Sequence, residues 1–146
     1  LNIYIREMAG KVLPEAFTCF TLSLDNLSEL TKRFGYTVGD GVLKDFAGLV
    51  QLMGDTEGMR GYNGIGRFVV FFEECSSKKA AAMIRILDNQ VEEYNSLNPE
   101  YPIRYTAAWA TTEETDTYEI RELLRLSQKK WKQMEKEKKD KTEEET

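Results

Sequence analysis

The residues able to do chemistry in this chain are few. It has no histidine, which removes Ser-His and Cys-His nucleophile pairs, histidine zinc sites and phosphohistidine chemistry together. Cys19 and Cys75 lie far apart, each in or beside an apolar run, without metal-type spacing. They read as small buried hydrophobes of a reducing compartment; a disulfide between them is the weaker alternative. What remains centres on the run Met59 to Glu73. Asn63-Gly64 is a hairpin-turn signal, because both residues tolerate positive φ. Phe68 to Phe72 is a short aromatic and β-branched run of the kind that forms a strand covered on both faces. The tip between the arms carries Gly64, Ile65, Gly66 and Arg67. A loop held on a buried arm is a good mount for chemistry, yet this one offers no carboxylate, hydroxyl, thiol or imidazole. Its guanidinium is a permanent cation that can meet a phosphate or a partner's carboxylate but cannot act as a base. Simple solvation, or an ion pair with Glu73 or Glu74, are the plainer readings of Arg67.

The elements that position this tip follow from apolar spacing. Leu1 to Leu13 reads as a helix ended by Pro14, and Ala16 to Leu24 as a central strand. Asp25 or Asn26 can cap a short helix with Leu27, Leu30 and Phe34 on one face, closed by Gly35. Tyr36 to Asp40 reads as a loop, with Gly39-Asp40 as turn and cap chemistry. A helix from about Gly41 to Met53 follows, burying Val42, Leu43, Phe46, Leu49 and Val50. Beyond the hairpin, whose first arm is Thr56 to Tyr62, Ser76-Ser77 caps a helix from about Lys78 to Leu97. Its stripe is Ala81, Ile84, Leu87, Val91 and Tyr94. Asn98-Pro99 breaks it. Tyr101 to Thr111 is a strand with Ile103, Tyr105, Ala107 and Trp109 on one face, and Thr112 to Thr117 a polar loop. The last helix runs from Tyr118 to about Lys139, with Ile120, Leu123, Leu124, Ser127 and Trp131 facing in. Residues 140–146 are expected to form a polar tail, with the start of a helical linker as the other reading of the charged end. This order predicts an α+β sandwich of the ferredoxin-like kind, a mostly antiparallel central sheet flanked by helices.

The totals agree with one soluble domain. A chain of 146 residues can bury a proper core. A net charge of -5 argues against general nucleic-acid binding. No run approaches the length of a membrane span and no signal peptide is visible, so a cytoplasmic setting without direct membrane contact is expected. The chain starts at Leu1 rather than methionine, and we expect a domain of a longer protein, in which an anchor or sensor would lie upstream.

The stretch Phe20 to Leu43 resembles the first half of a GGDEF domain, the diguanylate cyclase family that joins two GTP molecules into cyclic di-GMP. The family pattern is a hydrophobic strand followed by D-x-D-x-F-K-x-x-N-D-x-x-G-H-x-x-G-D-x-x-L, and the spacing to Gly39-Asp40 matches without a gap. Gly64-Ile65-Gly66-Arg67-Phe68 falls where the Gly-Gly-Asp/Glu-Glu-Phe signature belongs. Leu123-Leu124-Arg125-Leu126-Ser127 and Trp131 are similar to the family's last helix. The resemblance implies a nucleotidyl cyclase-type fold over essentially the whole chain.

Carried over position by position, it also implies lost activity. The two magnesium-binding carboxylates correspond to Ser23 and Gly66, and the glutamate implicated in activating the attacking hydroxyl corresponds to Arg67. A hydroxyl and a hydrogen are poor ligands for a hard dication. The signature's second glycine is Ile65, whose side chain is expected to narrow the pocket. Of the guanine-recognising pair, Asp40 is kept and the asparagine is Thr31; the phosphate-contacting lysine falls at Met134, with Lys132 and Lys138 nearby. The inhibitory Arg-x-x-Asp motif, expected at Asp55 to Gly58, is absent. No catalytic residue, metal or cofactor is therefore expected. The leading expectation is an inactive GGDEF-like module working through a protein partner or self-association. A metal-independent sensor that binds GTP or another nucleotide through Thr31, Asp40 and Arg67 is the alternative, and an enzyme of altered chemistry the third.

Overall fold

A computed structural model describes residues 1–53, 59–62 and 65–145. The expected Asn63-Gly64 turn and the Asp55 to Gly58 stretch lie outside the described residues. Helix α1 (Asn2–Met8) is followed by strand β1 (Thr18–Leu24), helices α2 (Leu27–Phe34) and α3 (Tyr36–Gln51), and strands β2 (Met59–Tyr62) and β3 (Arg67–Phe72). Then come α4 (Ser77–Leu97), β4 (Tyr105–Thr111), the single-turn α5 (Thr112–Thr115) and α6 (Ile120–Glu145). The sheet order is β2-β3-β1-β4, with all three pairings antiparallel. This is the α+β sandwich that the element order predicts.

Strand β1 is central and buried along its whole length. Its alternate side chains feed two cores. Phe20, Leu22 and Leu24 join Val42, Phe46, Phe68 and Leu87 beneath α2, α3 and α4. Cys19 joins Phe17, Phe71, Ile120 and Leu123 on the opposite face, beneath α1 and α6. Both cysteines are free and buried. Desolvation pushes the Cys19 thiol up to about 12, so no thiolate nucleophile forms there at neutral pH. No described helix is long and apolar enough to cross a membrane.

Several expectations are corrected. Thr112–Thr115, expected within a polar loop, form the single-turn α5, and the strand expected from Tyr101 starts at Tyr105. Tyr36 to Asp40 is the first part of α3, not a loop, and Gly35 both ends α2 and precedes α3 at φ 96°. Helix α1 is shorter than expected and buries no residue. The buried residues of α4 are Ala80, Met83, Leu87 and Val91, a stripe one position N-terminal of the expected one in its first half. Finally, α6 continues to Glu145, beyond the end near Lys139 expected of the last helix. Pairs one turn apart, Glu135 with Lys139 at 3.3 Å and Gln133 with Glu137 at 3.1 Å, support its polar end.

The start of α4 is as read. Ser76 adopts an extended conformation and its hydroxyl accepts from the Lys79 N–H. Ser76→Ala is expected to cost about 1 kcal/mol, measured as a shift in the urea midpoint, with Ser76→Asp retaining the stability.

Candidate functional site

The C-terminal end of β1 opens into a cleft of about 1020 Å³. Ser23, Leu24 and Asp25 form its floor; Leu27, Thr31 and Lys32 of α2 and Tyr36, Asp40 and Leu43 of α3 form one wall. Ile65, Gly66 and Arg67 close the hairpin side, and Trp131 and Glu135 of α6 the other. Thr31, Asp40 and Arg67, remote in sequence, therefore share one cavity. The antiparallel register brings two of the positions named from the resemblance together, for Ser23 pairs with Arg67 across β1 and β3, and the Leu24 N–H donates to the Gly66 carbonyl at 2.7 Å.

Ser23 is only 4% exposed and its hydroxyl is fully engaged. It donates to Asp25 Oδ1 at 2.6 Å and accepts from the Trp131 indole N–H at 2.8 Å. The other Asp25 oxygen accepts from the Thr106 hydroxyl at 2.5 Å. That hydroxyl lies 3.1 Å from Lys138 Nζ, which also donates to the Tyr105 carbonyl at 2.6 Å. Strand end, β4 and α6 are thus tied by one polar chain. Asn26, expected as a cap, makes no side-chain cap bond. It donates to the Pro102 carbonyl and accepts from the Arg104 N–H, clamping the start of α2 to the segment entering β4.

Gly66 is buried and lies at φ +75°. A Cβ there would stand 3.2 Å from Leu27 Cδ2. The backbone is therefore in a region that side-chain-bearing residues rarely adopt, with an apolar neighbour against the missing side chain. Ile65 lies at the rim, 88% exposed. Arg67 does not pair with Glu73 or Glu74: its guanidinium lies 4.8 Å from the centroid of the Trp131 ring, a cation–π contact. Asp40 is held by Lys44 one turn on, at 3.0 Å. Among the described residues no group of three or more His, Cys, Asp or Glu could hold a metal ion.

Thr31 and Gly39 meet where α2 packs on α3. A Cβ on Gly39 would overlap the Thr31 hydroxyl, so the glycine permits the close approach of the two cleft-lining helices. Gly39→Ala is expected to lose about 1 kcal/mol despite alanine's better helix propensity. In a Thr31→Ala background the same change becomes neutral or stabilising, which a double-mutant cycle of urea midpoints would reveal.

The sequence points to Trp131 only as an inward-facing residue of a helix similar to the family's last one, and singles out neither Lys32 nor Glu135 for a site. Lys32 had one available signal: it follows Thr31 directly on a helix whose opposite face is apolar. Lys132 lines a smaller hollow of about 310 Å³ beside Trp131, and Met134 is partly exposed.

A four-stranded antiparallel sheet, helices on both faces, and a cleft where the central strand ends beside a hairpin together define a nucleotidyl cyclase-type domain. Residues 6–141 match the family described as "Diguanylate cyclase, GGDEF domain", and the chain belongs to that family. It is similar to the active GGEEF domain of a diguanylate cyclase from Vibrio cholerae, with a TM-score of 0.73 and 19% identity over 83% of this chain and 77% of the other. An EAL/GGDEF domain protein from M. capsulatus gives a TM-score of 0.72 and 13% identity over 93% and 87%. A microbial GGDEF domain described in a novel interaction mode with cyclic di-GMP gives a TM-score of 0.59 and 25% identity over 75% and 65%. No curated protein sequence matches the chain.

Proposed function

We propose that this GGDEF domain makes no cyclic di-GMP and serves as a non-catalytic signalling module, acting through a protein partner or through self-association within a larger regulatory protein. The observation that carries this reading is the state of Ser23 and Gly66. Both stand where the family pattern has magnesium-binding carboxylates. Ser23 is buried and locked between Asp25 and Trp131, and Gly66 has a backbone conformation and an apolar neighbour that disfavour a carboxylate. Arg67 replaces the signature's base with a permanent cation. The surrounding core is complete, with Phe20, Leu22 and Phe46 all at 0% exposure, as expected where a fold is kept for contacts. Sedimentation at high concentration, with the isolated flanking regions of the full-length protein added in turn, tests the reading. Self-association or a complex with one of them is expected; a strictly monomeric, partnerless domain counts against it.

A second reading is favoured by the cleft itself. Its volume is at the upper end of small-molecule sites, about 300–1,000 Å³, and it gathers Thr31, Asp40 and Arg67. A GTP molecule bound there without turnover would make the domain a nucleotide sensor. A rise in melting temperature with millimolar GTP is then expected, and an unchanged melting temperature with and without magnesium ends this reading.

A further inference from the structure

We infer that the cleft takes a nucleotide without its magnesium ion, the phosphates being neutralised by Arg67 and Lys32, so that magnesium weakens binding. This rests on the second reading above and adds to it the sign of the metal's effect.

The argument is one of charge. The cleft is lined by three carboxylates, Asp25, Asp40 and Glu135, and by two side-chain cations, Lys32 and Arg67. Each carboxylate already has partners. Asp40 is paired with Lys44 at 3.0 Å and Glu135 with Lys139 at 3.3 Å. Asp25 accepts from two hydroxyls, and Lys138 stands beside the second of these. Among the described residues neither Lys32 nor Arg67 has an ion-pair partner. The cleft therefore presents positive charge that its own acids do not cancel.

Arg67 is also held at the cleft. Its cation–π contact with Trp131 keeps the guanidinium beside the cleft wall, and a guanidinium can donate to a phosphate in pairs. Leu24, Leu27 and Leu43 line the same space and supply an apolar bed for the nucleoside. A magnesium complex would bring a dication towards Arg67, meet only carboxylates that already have partners, and carry less negative charge to the two cations. Each effect acts against binding.

The test is calorimetric titration of the full chain with GTP, GDP, GMP and guanosine, in EDTA and in excess magnesium, with Arg67→Ala and Lys32→Ala beside the wild type. Both side chains are exposed, so both variants are expected to fold. In EDTA, affinity should rise from guanosine to GMP, GDP and GTP. Magnesium should weaken GTP binding about threefold or more, and Arg67→Ala about tenfold, the scale of one lost charge-assisted phosphate contact. Lys32→Ala should give a smaller loss in the same direction. Binding that needs magnesium, or that is unchanged in both variants, overturns the inference while leaving the sensor reading intact. No binding of GTP at millimolar concentration overturns both.

Discussion

Replacing Phe46 with alanine is expected to remove about 3–5 kcal/mol of folding stability. Phe46 is fully buried and joins α3 to two strands: its ring lies 5.5 Å from that of Phe68, edge to face, and 5.5 Å from that of Tyr105. Phe68 is on β3, directly after Arg67, and Tyr105 opens β4, so truncation leaves a void between α3 and both strands. Domains of this size are stable by about 5–15 kcal/mol, and the variant should therefore unfold at a much lower urea concentration. Phe46→Leu fills most of the space and should cost less. A loss below about 1 kcal/mol for the alanine variant would contradict the placement of α3 on the sheet.

The second large effect is expected from Ser23→Asp, which places a carboxylate where the family resemblance implies one. The new group would be buried where Ser23 now touches Asp25 at 2.6 Å, and it would lose water while facing a like charge. An uncompensated buried charge costs about 3 kcal/mol or more. Desolvation and the neighbouring carboxylate both raise the folded-state pKa of the new acid above its unfolded value of about 3.9. The penalty is therefore absent below the unfolded pKa and grows as pH rises towards the folded one. The deficit relative to the wild type should be larger at pH 7 than at pH 4. Ser23→Asn, similar in size and neutral, should be milder and nearly independent of pH. Magnesium should not restore Ser23→Asp, because Gly66 supplies no second carboxylate. A variant as stable as the wild type and stabilised by magnesium would show that the cleft still accepts the ion.

Much of the fold was legible because it depends on local spacing. The apolar run of β1, the aromatic run of β3, the Ser76 cap and the shared face of Ile103, Tyr105, Ala107 and Trp109 each reflect a simple period or a cap rule, and each holds. The start of α3 was hidden because Gly39 and Gly41 are poor helix formers. At Gly39 the helix gains from packing against Thr31 what it loses in propensity, and that contact is tertiary. The length of α6 was hidden because its polar end carries no apolar stripe, so spaced charge pairs were the only available sign.

The candidate site divides along the same line. The convergence of Thr31, Asp40 and Arg67 followed from the family resemblance, which fixes how distant segments meet. The stacking of Arg67 on Trp131, and the engagement of Ser23 by both Asp25 and Trp131, did not. Those contacts join the first and third strands to the last helix, and nothing in local sequence encodes the distance between them. Local charge made Glu73 and Glu74 the obvious partners for Arg67. A residue six positions on along a strand is roughly 20 Å away, whereas the helix crossing the sheet brings an aromatic face alongside.

Product analysis after incubating the full chain with GTP and either magnesium or manganese tests the lost chemistry most directly. GTP is expected to remain unconverted at every protein concentration, dimer-forming ones included; cyclic di-GMP accumulating above a protein-free control would contradict it.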